Sequence, residues 1–119
     1  MSHHRWVDVP SEQINQAVAR RFITGDSVTI GRFELTKGAV VPSHAHVNEQ
    51  ISMVMSGVVL FRVDGRETVV KAGEVIQIPA NVSHEIEVLE DALAIDVFSP
   101  ARQDWIDKTD TYFRRELKT

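Results

Sequence analysis

The chain has 119 residues, of which 43% are hydrophobic and 25% are charged, a composition that fits one globular domain with a modest core. Thirteen basic and seventeen acidic residues leave a formal charge of -4 with no basic stripe, which argues against a nucleic-acid partner. The lack of cysteine excludes disulfides, thiolate catalysis and cysteine-ligated zinc, so a transition metal must use histidine, glutamine or carboxylate ligands. A polar first segment and the lack of a long apolar run predict a soluble cytoplasmic protein that does not contact membranes.

Short strands separated by turn residues dominate the chain. Residues 17–35 predict a hairpin that turns at Thr24-Gly25-Asp26, and residues 58–70 predict a second hairpin that turns at Asp64-Gly65. Further apolar strands follow at residues 74–79, 84–90 and 92–100. Because no helical pattern of ten or more residues lies between them, we expect an all-β sandwich or barrel that forms a single domain over residues 1–119.

Two short helical elements are also expected. Residues 11–18 could hold a helical turn. Ser99-Pro100 could begin a C-terminal helix that continues through Arg115, because proline is favoured in the first turn of a helix.

The histidines have a spacing that suggests a site. His44 and His46 are two residues apart in the stretch HAHVNEQISMVMSG, so they share one face of an extended chain. His84 also stands at the start of an apolar strand, after a turn that contains proline. His3 and His4 lie in a polar segment without such a framework, and we expect them to be surface residues.

Two spaced motifs contain these histidines and resemble the signature motifs of the cupin superfamily. The first spans residues 38–57 and consists of Gly38, His44, His46, Gln50 and Gly57. The second spans residues 73–84 and consists of Gly73, Pro79, Asn81 and His84. The resemblance implies an RmlC-like jelly-roll β-barrel in which His44, His46, Gln50 and His84 hold one divalent ion of Zn, Ni, Mn, Fe or Cu.

The fourth ligand departs from the family pattern, which most often has glutamate at position 50. Gln50 has the same parity as His44 and His46, so it lies on their face if no bulge intervenes, whereas Glu49 is the alternative ligand. Asn81 replaces the usual glycine, and asparagine reaches left-handed backbone angles more readily than most residues.

The neutral ligand set favours Lewis acid chemistry. Three imidazoles and one amide oxygen bind a divalent ion without cancelling its charge, which suits isomerisation, lyase or hydration reactions. A carboxylate ligand would instead neutralise part of that charge, as in many iron or manganese oxidative sites.

Asp96 is the candidate catalytic residue. It lies in an apolar strand and shares a face with Phe98 and Ala94 by alternation. One interpretation is a general base beside an aromatic wall, and the other is a core carboxylate that is paired with the backbone or an arginine.

Nearly the whole chain resembles the single-domain pectin-degradation cupins of the KdgF type. That resemblance implies a metal-dependent enzyme that opens 4,5-unsaturated uronates into linear 4-deoxy-5-keto uronates, with Asp96 and Phe98 on the substrate side. A uronate carboxylate calls for a guanidinium, for which Arg102 is the candidate and Arg32 and Arg21 are weaker ones. The alternatives are another cupin metalloenzyme, such as a dioxygenase or a small-substrate lyase, and a non-catalytic sugar or metabolite binder.

The strand around residue 53 also predicts a homodimer. Its side chains Ile51, Met53 and Met55 lie on the face opposite Gln50, so an apolar surface is left on the outside of a one-domain barrel. A self-complementary twofold interface would cover that surface.

Overall fold

The computed structural model describes residues 1–110, which form an antiparallel β-barrel with one short helix. A 3-10 turn at Trp6–Asp8 precedes eight strands and a helix. These elements are β1 (Glu12–Asn15), β2 (Val18–Thr24), β3 (Thr29–Leu35), β4 (Val40–His44), β5 (Glu49–Val63), β6 (Arg66–Lys71), β7 (Val75–Ile78), β8 (His84–Ser99) and α1 (Gln103–Asp107). The predicted all-β class is confirmed.

Two long strands organise the barrel. β5 and β8 pair with each other along most of their lengths, from Glu49↔Ser99 to Val63↔His84. The first half of β5 also pairs with β7 and its second half pairs with β6. β8 pairs with β4 through its first half and with β3 through its second half, and β3 leads on to β2 and β1. The strands β3, β4, β6 and β7 therefore each pair with a member of this central pair. The strands β1 and β2 are connected to it through β3.

Both predicted hairpins are present. β2 and β3 pair from Val18↔Leu35 to Thr24↔Thr29. β5 and β6 are joined by Asp64 and Gly65, whose φ angles of 49° and 79° are both positive, as a type I′ turn requires. This turn type matches the twist of the flanking strands, which explains why a two-residue Asp-Gly connection specifies the register there.

Three expectations about element boundaries are wrong. Residues 11–18 contain strand β1 and a turn rather than a helical turn, because Glu12 and Gln13 pair with β2. Residues 84–90 and 92–100 contribute to the one strand β8, not to two strands. Helix α1 ends at Asp107, where Lys108 takes a left-handed conformation with φ 58°, and Arg115 lies outside the described residues.

The core lies between the inner faces of the strands and consists mainly of valine, isoleucine and phenylalanine side chains. Its fully buried members include Ile14, Val18, Val54, Val59, Ile78 and Phe98. No helix within residues 1–110 is long and apolar enough to cross a membrane.

The register between β5 and β8 shifts on both sides of Gly57. Gly57 has φ 82°, and a Cβ built there would collide with the Asp91 carbonyl oxygen and lie 2.7 Å from the Ala92 Cα. The two long strands therefore approach each other at a point that only glycine permits.

We expect Gly57→Ala to lower the free energy of unfolding more than Gly65→Ala does. Gly65 has φ 79° with nothing within 4 Å of a built Cβ, so its substitution incurs only backbone strain of about 1–2 kcal/mol. Gly57→Ala adds a backbone collision, which should cost at least about 1 kcal/mol more. Urea unfolding of both variants measures the difference, and equal losses would contradict this role for Gly57.

Candidate metal centre and active site

Three histidines meet inside one end of the barrel. His44 ends β4 and His84 begins β8, and these two residues are Cα partners across the strand pair. His46 lies in the loop that leads into β5. The ring centroids of His44 and His84 are 4.2 Å apart, and one ring nitrogen from each of the three histidines lies within 4.8 Å of the others. The three histidines could therefore hold a metal ion.

Backbone carbonyls fix the orientation of all three rings. The Nδ1–H of His44 donates to the Pro42 carbonyl at 2.7 Å, and the Nδ1–H of His84 donates to the Val82 carbonyl at 2.9 Å. His46 Nδ1–H donates in the same way to the Asn48 carbonyl at 3.0 Å. Because a carbonyl can only accept, each Nδ1 carries the proton and each Nε2 keeps a lone pair for a ligand.

Burial keeps these rings neutral. It lowers the pKa of His44 to about 3 and that of His46 to about 4, and it also lowers the pKa of His84. The positive charge of Arg102 lowers the pKa of all three histidines further, and neighbouring histidines add to this effect for His44 and His46. At neutral pH the three imidazoles are thus in the unprotonated form that metal binding requires.

Gln50 completes the group of inward-facing atoms. Its side chain is buried, and its Oε1 lies 3.1 Å from His46 Nε2. With the His46 proton on Nδ1, these are two lone-pair atoms that face each other without a proton between them. The buried Nε2 of His84 has no hydrogen-bond partner either, among the residues described. A bound cation would satisfy all of these atoms, so the residues fit a divalent metal.

Glu49, the alternative ligand, points away from the histidines. It is exposed, and its Oε2 accepts a hydrogen bond of 2.7 Å from Gln77 Nε2. The geometry thus favours Gln50, in agreement with the parity of the strand.

Asn81 links the two sequence motifs. Its φ of 63° is left-handed, as expected for the residue that replaces glycine there. Its backbone N–H donates to the His46 carbonyl at 2.8 Å, so the turn before His84 holds the loop that carries His46.

Asp96 lies on the floor of the same site. It is the Cα partner of Ser52 on one side and of Gly31 on the other, and its Oδ2 accepts a 3.3 Å hydrogen bond from Gln50 Nε2. Burial raises the pKa of Asp96 to about 7, although the hydrogen bond with Ser52 and the charge of Arg102 act in the opposite direction. A carboxyl group with such a pKa can both accept and return a proton near neutral pH.

Aromatic rings form the wall beside Asp96. Phe98 packs edge-on against His46 with ring centroids 5.7 Å apart. Trp105 of α1 packs edge-on against Phe98 at 4.9 Å and occupies the space above Gly31, where a built Cβ would lie 3.1 Å from the indole. Trp105 could not be predicted from the sequence, because a tryptophan in a short helix has no spacing that relates it to the histidines.

Arg102 lies near the centre, but its guanidinium already has a carboxylate partner. Its Nε and Nη2 donate to the two carboxylate oxygens of Asp104 at 2.8 and 2.7 Å. The guanidinium also stacks on Phe98 and Trp105, with Cζ 4.7 and 4.5 Å from the ring centroids. A role for Arg102 in binding the substrate stays a prediction.

The weaker arginine candidates and the N-terminal histidines lie elsewhere. Arg21 donates to the carbonyls of Trp6 and Val9, and Arg32 pairs with the carboxylate of Glu34. His3 and His4 line a surface cavity of about 470 Å³ that contains none of the predicted ligands.

Comparison with known proteins agrees with this geometry. A family model described as a cupin domain matches residues 31–98, which is more than half of the chain and includes all four candidate ligands. The chain belongs to the cupin family. Cupins commonly bind a divalent metal, and the three clustered histidines of this cupin could hold one.

Individual relatives are similar over most of their length. The pectin degradation protein KdgF of Dickeya dadantii is 28% identical over 102 residues, which span 83% of this cupin and 93% of that protein. An RmlC-like cupin of Shewanella frigidimarina superposes with a TM-score of 0.82 at 30% identity, over 87% of this chain and 96% of the other. The structure of KdgF from a Halomonas species has a TM-score of 0.83 at 24% identity, covers 88% and 98% of the two chains, and bears on the fold alone.

We expect one metal ion per chain in this cupin, and we expect His84→Ala to remove most of it. The substitution deletes one of three convergent nitrogens, whereas His4→Ala changes a histidine outside the cluster and serves as the matched control. Elemental analysis of protein purified without chelator measures the metal content. Equal metal content in the two variants would show that the cluster is not the binding site.

Proposed function

We propose that this cupin is a metal-dependent enzyme that opens an unsaturated uronate into its linear 4-deoxy-5-keto form. The observation that carries the proposal is the pairing of a neutral ligand group with a buried carboxylate, since Gln50 contacts both His46 and Asp96. The similarity to the pectin degradation protein KdgF supports the choice of substrate. We place the reaction in the cytoplasm, as the sequence predicts.

Ring opening of such a sugar is an isomerisation that requires proton transfer. The anomeric hydroxyl loses a proton, the bond between C1 and the ring oxygen breaks, and C4 gains a proton as the enol becomes a ketone. Atoms and charge balance without an oxidant, so one group that takes and returns a proton is sufficient.

Asp96 suits this proton transfer by position and environment. It is the Cα partner of Ser52 on the inner face. It also accepts a hydrogen bond from the amide of Gln50, whose oxygen faces the histidines. The buried side chains of Phe98 and Trp105 form an aromatic wall that excludes water from one side of the site.

His44, His46, His84 and Gln50 would hold the divalent ion. Bound there, it would supply Lewis acidity, because four neutral ligands leave its charge uncancelled. Arg102 adds positive charge near the histidines, which favours an anionic substrate even while Asp104 occupies part of its guanidinium.

We expect purified protein to remove the ultraviolet absorbance of a 4,5-unsaturated uronate, because ring opening destroys the double bond conjugated with the carboxylate. A panel of such monosaccharides, with and without prior treatment with a chelator, measures the activity and its dependence on metal. Oxygen uptake by iron-loaded protein would indicate a dioxygenase instead. Binding of the sugar without turnover would indicate a sugar-binding cupin.

We expect Asp96→Asn to lower turnover by roughly a hundredfold or more while the metal stays bound, because the amide keeps the shape but cannot accept the proton. Metal content, melting temperature and ring-opening rate can be measured on one preparation. Retained activity together with reduced stability would show that Asp96 is a structural core residue.

We also propose a homodimer that forms through the outer face of β5 and β7. Met53 is the Cα partner of Val75 and Ile95, so apolar side chains of three strands form one row on the outside. Val75 is 59% exposed, Met55 is 55% exposed and Ile51 is 38% exposed. A second copy would cover this row about a twofold axis.

We expect light scattering at micromolar concentration to give twice the 13.4 kDa mass of the chain. Val75→Lys should shift the mass toward that of the monomer, because it places a charge in the centre of the apolar row. Lys71→Glu, which also changes charge at an exposed position, is the control. A monomer mass for the unmodified protein would contradict the proposed dimer.

A further inference from the structure

The buried hydroxyl of Ser52 lies between the two functional parts of the site. Ser52 is fully buried, and it is the neighbour of Gln50 on the inner face of β5 and the Cα partner of Asp96 on β8. Its Oγ accepts a 2.9 Å hydrogen bond from Gln50 Nε2. Ser52 also lies beside the Asp96 carboxyl group, whose pKa its hydroxyl lowers.

These contacts bear on the orientation of the Gln50 amide. A glutamine amide can place either its oxygen or its NH2 group toward a given neighbour, and only the oxygen can bind a cation. In this site the NH2 group has two acceptors on one side, Ser52 Oγ and Asp96 Oδ2. The oxygen is therefore turned to the other side, 3.1 Å from His46 Nε2.

We propose that Ser52 is a positioning residue that holds the Gln50 amide with its oxygen directed at the three-histidine cluster. The hydroxyl accepts a hydrogen bond from Gln50 Nε2 and lies beside the Asp96 carboxyl group. It thus joins the ligand group to the carboxylate in one hydrogen-bonded row on the barrel floor.

The same row accounts for glutamine at position 50. A carboxylate there would have no N–H to offer to Asp96 Oδ2, which accepts from Gln50 across 3.3 Å. Two carboxylates would then face each other in a buried site, which is unfavourable. Glutamine satisfies both neighbours because it is an acceptor at one end of the amide and a donor at the other.

The test is titration with Co²⁺, whose visible spectrum reports its ligands. We expect Ser52→Ala to weaken Co²⁺ binding by roughly ten- to a hundredfold, the range found when groups that orient metal ligands are removed. Ser56→Ala, at an exposed position of the same strand, should bind Co²⁺ like the unmodified protein. Ser52→Thr retains the hydroxyl and should retain most of the affinity.

A double-mutant comparison separates positioning from a structural role. If Ser52 acts through Gln50, then Ser52→Ala should weaken Co²⁺ binding no further in a Gln50→Ala background, and both single variants should show the same altered Co²⁺ spectrum. Additive losses of affinity, or an unchanged affinity and spectrum in Ser52→Ala, would overturn the proposal.

The inference rests on the metal centre of the proposed function but not on the sugar substrate. If the unmodified protein binds no Co²⁺, both the metal centre and the role of Ser52 are wrong. If it binds Co²⁺ and Ser52→Ala binds it equally well, only the role of Ser52 is wrong. Failure of the uronate assay alone would affect neither result.

Discussion

Three hydrogen bonds from imidazole to the backbone determine what the site can do. Each of His44, His46 and His84 gives its Nδ1 proton to a carbonyl two residues away in the chain. The strand and loop backbone thereby selects one tautomer for all three rings and directs the three Nε2 atoms inward. The unsatisfied Nε2 of His84 and the close approach of Gln50 Oε1 to His46 Nε2 follow from that arrangement, and burial lowers the pKa of the rings so that they stay neutral.

Strand periodicity and turn chemistry explain how much of this could be predicted. Alternation predicted Gln50 on the inner face and Glu49 on the outer face, and in the structure Gln50 is buried and Glu49 is exposed, although a loop separates β4 from β5. The left-handed angle at Asn81 and the Asp64-Gly65 hairpin were equally readable, since each depends on a local backbone preference. A few consecutive residues are enough to specify each of these features, so the sequence alone predicts them.

Features that depend on tertiary packing could not be read in the same way. Arg102 was predicted from its chemistry as an anion binder, but its pairing with Asp104 and its stack on Phe98 and Trp105 depend on where α1 packs. The orientation of the Gln50 amide depends on Ser52 and on Asp96, 46 residues away in the chain. Residues 11–18 have a sequence that is compatible with a helical turn. They form strand β1 instead, because their backbone groups pair with β2.

The position of β8 in the chain has a consequence for folding. β8 supplies His84, Asp96 and Phe98, and it is the shared partner of β3, β4 and β5. It is also the last strand among the residues described, so on the ribosome the earlier strands emerge before their common partner exists. Pairings of such long sequence separation form slowly. During synthesis, the edges of β3 and β5 that pair with β8 stay unpaired until β8 has been made. The nascent chain is most prone to aggregation in that period.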